Sequence, residues 1–170
     1  MSVDDADRWG QTHVQRHGQQ PADPLHVDVV ENKLGVDRGA CRVVLAEDSK
    51  FIHGIMKSVL LRCGYREVLS YYDGAQAWKA LLATTQEDRV PTVVIADVEM
   101  PQMDGLALTR RLKENADLRD LPVILFSSII TDDTRHKGEE VGADEQISKP
   151  QLRNLVEIVD GWAQKVLATA

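Results

Sequence analysis

Residues 90–105 read VPTVVIADVEMPQMDG. The run from Val93 to Ala96 is apolar at every position and closes on a single acid, Asp97. A half-buried strand would alternate between apolar and polar residues. An unbroken run predicts a strand buried on both faces. Asp104 then stands where a helix needs an N-cap, ahead of a helix predicted over Gly105 to Glu114. A fully buried strand leading into a helix is the repeating unit of a parallel α/β sheet.

The same unit recurs on either side. Upstream, CRVVLAED is a short apolar run ending in two acids, and Ile52, Ile55, Met56, Val59, Leu60 and Cys63 follow at helical spacing, with Gly64 as a stop. REVLSYY and GAQAWKALLAT form the next strand and helix. Downstream, LPVILFSS is a fourth strand, and TDDTRHKGEEVG a mostly polar helix with Asp132 and Asp133 in its first turn. EQIS is a short fifth strand before a helix from about Gln151 to Leu167. That last helix carries Leu152, Leu155, Val156, Val159, Ala163 and Val166 at core spacing, with Ile158 and Trp162 widening the stripe. The helix before it has almost no apolar stripe and is expected to be held loosely. Strand and helix thus alternate five times, which predicts a parallel sheet covered by helices on both faces.

Composition narrows the classes of function. The chain has 170 residues, 43% apolar and 28% charged, with a net charge of −7. A negative surface of this kind speaks against nucleic-acid or membrane partners, both of which attract basic patches. No apolar run approaches the roughly 18 residues of a membrane span. Asp4, Asp5 and Asp7 lie where a signal peptide needs basic and then apolar residues, so a cytoplasmic location is expected. Residues 1–40 are read as a flexible polar arm because QTHVQRHGQQPADP shows no apolar period, although HVDVVENKLGV could pack locally. His13 and His17 have the spacing of a helical metal pair but are read as solvated tail residues. Cys41 and Cys63 lack metal-ligand or redox spacing and are read as small buried apolar residues. Residues 41–170 form the predicted domain.

In a parallel sheet of this class, ligands bind outside the carboxyl ends of the strands. Glu47 and Asp48 close the first strand, Asp97 the third, and Ser127 and Ser128 the fourth, while the fifth runs into Lys149 and Pro150. Clustered carboxylates repel one another, and a divalent cation removes that penalty. All-oxygen ligands suit Mg²⁺ or Mn²⁺ rather than Zn²⁺. An Asp can act as a nucleophile that forms an aspartyl phosphate. Phosphoryl transfer needs mainly positioning and charge neutralisation, which a metal and one lysine provide. Singly, each residue reads as a loop acid, a cap or a solvated lysine; the joint pattern is far rarer.

At LAEDS, VVIADVEMPQMDG, ILFSS, VGAD and SKP, in that order, the chain closely resembles the receiver domains of bacterial response regulators, over about Cys41 to Ala168. The resemblance implies a flavodoxin-like, doubly wound five-stranded sheet of order 2-1-3-4-5 with about five helices, and phosphoryl transfer from a histidine kinase. It implies Asp97 as phosphoacceptor, Asp48 as a direct Mg²⁺ ligand, Glu47 as a ligand through water, and the main-chain carbonyl of Glu99 as a further ligand. It further implies that Lys149 contacts the phosphoryl group, that Ser127 is the switch hydroxyl, and that the Lys149–Pro150 bond is cis. DVEMPQMDG, DGAQAW, LFSSII and VGADEQISKP look like the receiver of CheV-type chemotaxis coupling proteins, whose N-terminal scaffold domain would not fit in about forty residues. Two positions depart from the family pattern. Gln146 stands where an aromatic switch residue is usual, and Glu99 places a carboxylate two residues past the phosphoacceptor; both are read as modulating. Output is expected through protein contact on the face made by the fourth helix, fifth strand and fifth helix.

Two other readings compete. A haloacid-dehalogenase-like phosphohydrolase also uses an Asp nucleophile with Mg²⁺, but resembles a pattern of two acids one residue apart on its first strand, whereas here Asp97-Val98-Glu99 closes the third. A phosphorylation-independent interaction module would keep the fold without needing the full set of Asp48, Asp97, Ser127 and Lys149.

Overall fold

The computed structural model describes residues 29–85, 90–149 and 152–170. Its elements are β1 (Arg42–Ala46), α1 (Lys50–Arg62), β2 (Glu67–Tyr71), α2 (Gly74–Thr84), β3 (Val93–Asp97), α3 (Gly105–Glu114), β4 (Val123–Ser127), α4 (Asp132–Glu140), β5 (Glu145–Ser148) and α5 (Leu152–Thr169). The strands form one parallel sheet in the order β2-β1-β3-β4-β5. Fold class and strand order are those expected.

The two-residue period of a strand sends alternate side chains to opposite faces. Val43, Leu45, Val93 and Ile95 join α1 and α5 in one core, with Met56, Leu60, Leu155 and Val159. Val44, Ala46, Val94 and Ala96 face the other way and join Ala77, Leu81, Leu108 and Leu112 of α2 and α3. Leu155, Val156, Val159 and Ala163 of the predicted α5 stripe are buried, and Ile158 and Trp162 pack against the same core. In α4 only Gly138 is buried, as the missing apolar stripe implies. That helix is held at its start by a capping box between Thr131 and Thr134.

The arm read over 1–40 needs correction at its end. Val30 and Val36 are buried in the α1/α5 core, and Arg38 is buried as well. Arg38 Nε donates to Asp160 Oδ1 at 2.8 Å and Nη2 to Oδ2 at 2.5 Å, while Nη1 reaches the carbonyls of Val30 and Cys63. Tyr65 Oη donates to the same Asp160 at 2.6 Å. Residues 29–40 are therefore fixed by two valines and one buried ion pair, none of which follows a helical or strand period. His13, His17 and Pro150, with the cis bond expected there, lie outside the described residues.

Strand register sets up the sheet's carboxyl edge. Ala46 pairs with Ala96, so Glu47 and Asp97, the next residues, are brought side by side. Ser127 pairs with Ser148, which puts Lys149 at the same edge.

Candidate functional site

Glu47 is fully buried and Asp97 is 2% exposed, whereas Asp48 reaches solvent. One carboxylate oxygen from each of the three lies within 4.8 Å of the others. Lys149 Nζ donates to Asp97 Oδ2 at 2.9 Å and to Glu47 Oε1 at 3.2 Å. The other Asp97 oxygen accepts the backbone N–H of Glu99 at 3.1 Å, and Glu47 Oε1 accepts that of Ser49 at 3.0 Å. The Asp97 loop is drawn tight against α3, where a Cβ on Gly105 would collide with the Asp97 carbonyl. Only glycine lets the helix start so close to that strand end.

Electrostatics leave this pocket short of positive charge. Burial pushes the Asp97 carboxyl above its ordinary range; Lys149 and the Glu99 N–H pull it back, and Asp48 pushes it up further. Burial likewise raises Glu47, with Lys149 opposing and Asp97 reinforcing the rise. For Lys149, burial lowers the ammonium's pKa, but its bonds to Asp97 and Glu47 outweigh that and raise it. Two of the three clustered carboxylates, Glu47 and Asp97, thus share one ammonium. Glu47 Oε2 lies 3.0 Å from Lys149 Nζ, an ion-pair contact without a hydrogen bond. It is the one buried side-chain oxygen among the described residues left without such a partner. A buried carboxylate oxygen that accepts no hydrogen bond, in a cluster of carboxylate ligands, fits a hard divalent cation.

The structure therefore brings Glu47, Asp48, Asp97 and Lys149 together. Ser127 sits at the same edge, but its Oγ donates to the Ile129 carbonyl at 2.9 Å, within its own loop. Glu99 meets Asp97 through its backbone N–H, and its residue is exposed. Gln146 turns to α4, where Nε2 donates to the Arg135 carbonyl at 2.8 Å. Sequence reasoning passed over His53, which is buried with Nδ1 3.1 Å from the Glu47 carbonyl oxygen. Its place five residues past Asp48 was the only signal, and a lone histidine on a helix points to nothing by itself.

Comparison with known proteins places this geometry in a class. The family model of the response regulator receiver domain matches residues 43–160, and the chain belongs to that family. It is a receiver domain of two-component signalling. Chemotaxis protein CheY1 of Helicobacter pylori is 30% identical over 87 residues, covering 51% of this chain and 67% of that protein. A gliding motility regulatory protein of Myxococcus xanthus is 30% identical over 111 residues, covering 65% of this chain and only 14% of its own length. Among solved structures, the receiver domain of a signal transduction histidine kinase from Syntrophus aciditrophicus has a TM-score of 0.64 at 32% identity, over 74% of this chain and 92% of that one.

Proposed function

We propose that this receiver accepts a phosphoryl group from a phosphohistidine of a histidine kinase onto Asp97 and signals by protein contact. The observation that carries the reading is the environment of Asp97: a buried carboxylate beside Glu47 and Asp48, with Lys149 on one oxygen and a backbone N–H on the other. Glu47, Asp48 and Asp97, with the main-chain carbonyl of Glu99, would hold Mg²⁺ or Mn²⁺. When bound, that ion supplies the positive charge that three carboxylates and a phosphoryl group require. An Asp97 oxygen attacks phosphorus, the phosphorus–nitrogen bond breaks, and the electron pair leaves on the histidine nitrogen. Lys149 neutralises charge on the transferred group, and Ser127 donates to a phosphoryl oxygen once its hydroxyl leaves Ile129. The chain acts as a signalling domain that catalyses only its own phosphorylation and dephosphorylation.

Output is proposed on the face formed by α4, β5 and α5. The likeness to Helicobacter CheY1 and the CheV-type wording of the site loops support chemotaxis as the setting. Among the described residues no helix is long and apolar enough to cross a membrane.

Acetyl phosphate with Mg²⁺, read by intact mass, tests the assignment. One phosphoryl group should add to the wild type and none to Asp97→Asn. Labelling of that variant would sink the reading, and sustained phosphatase turnover in place of stoichiometric labelling would favour the hydrolase alternative.

A further inference from the structure

Glu47 follows the last residue of β1, and its peptide link to Asp48 carries one acidic side chain on each side. The placement of that peptide fixes the two Cα atoms from which both carboxylates extend. On one side the position is fixed by the sheet, since the Glu47 N–H donates to the Tyr71 carbonyl at 3.0 Å. On the other side the Glu47 carbonyl meets His53 Nδ1 at 3.1 Å. A carbonyl oxygen carries no proton, so the bond requires hydrogen on Nδ1. The imidazole is itself constrained. It is 5% exposed and lies nearly parallel to the Tyr72 ring, with centroids 4.3 Å apart and planes at 19°. Tyr72 directly follows Tyr71, so the last residue of β2 and the one after it hold the Glu47 backbone from both directions: one by its carbonyl, the other through the histidine.

We propose that His53 is a positioning residue for divalent-cation binding, its Nδ1–H fixing the Glu47–Asp48 peptide so that both acids face Asp97 together. The inference rests on the reading of Glu47, Asp48 and Asp97 as the metal site. His53 does not ligate; it acts through the backbone. Outer groups that orient metal ligands commonly control affinity in this way. If His53 were only a core side chain, an aromatic ring of similar size would replace it without effect, and a small polar amide would not.

Two substitutions separate these roles. His53→Phe keeps the ring and its stacking but loses the donor. His53→Asn loses the ring but offers an amide N–H near the place of Nδ1–H. Titration calorimetry of the full chain with Mg²⁺ should show binding roughly three- to tenfold weaker in His53→Phe, the scale of one lost hydrogen bond, and within about twofold of wild type in His53→Asn. In the wild type, long-range proton–nitrogen NMR of the ring should show the Nδ1–H form. Wild-type affinity in His53→Phe, an equal loss in both variants, or a neutral ring protonated at Nε2 would overturn the proposal. Asp48→Ala is the separate control: if it leaves Mg²⁺ affinity unchanged, the metal-site reading itself fails and the role of His53 falls with it. A large loss there with His53→Phe unaffected removes the His53 role alone.

Discussion

The side chain of Gln146 lies against Gly138 of α4, so close that a Cβ on the glycine would stand 2.5 Å from the amide carbon. From that position the amide donates to the Arg135 carbonyl at 2.8 Å and ties β5 to a helix that has almost no apolar grip of its own. A polar residue at the usual place of an aromatic switch thus makes a specific contact, and the absence of a side chain at Gly138 permits it.

Gly138→Ala should expose this coupling. Alanine gains about 1 kcal/mol over glycine within a helix. Displacing Gln146 loses a hydrogen bond worth about 1 kcal/mol. The single variant is therefore expected near wild-type stability, whereas the same change in a Gln146→Ala background should stabilise by about 1 kcal/mol. Urea unfolding of the four proteins checks the cycle, and additive effects would show that the contact carries no energy.

Arg38→Ala should cost about 3–5 kcal/mol, because it leaves the Asp160 carboxylate buried without its bidentate partner. The same measurement tests whether residues 29–40 belong to the folded unit. A variant that unfolds at the wild-type denaturant midpoint would return them to the arm.

With metal removed by a chelator, stability should fall as pH rises out of the carboxylate range. Asp97 and Glu47 are raised, chiefly by burial, so the native state binds their protons more tightly than the unfolded chain. Their contribution is complete below the ordinary carboxylate pKa values and is lost as pH passes through the raised ones. Asp97→Asn should flatten this slope and melt higher than wild type near neutral pH. Superimposable melting profiles from about pH 4 to about pH 7 would contradict the assignment.

Glu99→Ala is expected to speed loss of the phosphoryl group several-fold. The exposed carboxylate stands two residues past Asp97, and the expectation is that its charge repels hydroxide from the phosphorus of a phosphorylated Asp97. Decay of labelled protein after removal of the donor measures it, and an unchanged lifetime would mean that Glu99 is merely a solvated loop acid.

Trp162 packs against the α1/α5 core, with Lys165 Nζ 3.9 Å from the centre of its ring. Trp162→Ala should cost roughly 2 kcal/mol, less than a fully buried tryptophan. Full stability combined with weakened binding to an output protein would assign the ring to a signalling surface instead.

The sequence by itself determined the sheet. Runs such as Val93–Ala96 are apolar without interruption and stop on an acid, a pattern that points to burial on both faces, hence to a parallel sheet with Glu47, Asp48, Asp97 and Lys149 gathered at one edge. Each of these follows from local composition and from where each strand stops. Tertiary structure alone decided the rest. Arg38 and Asp160 are 122 residues apart, and neither lies in a pattern that predicts a buried ion pair. His53 reads as one polar residue among the apolar positions of α1, and its bond to the Glu47 carbonyl exists only because the strand-to-helix turn folds that carbonyl back onto the helix. Gln146 and Gly138 meet across two elements whose separation no period records. Hydrophobic periodicity is a property of neighbours along the chain and is legible there. Polar contacts between distant residues depend on angles fixed only when the layers pack.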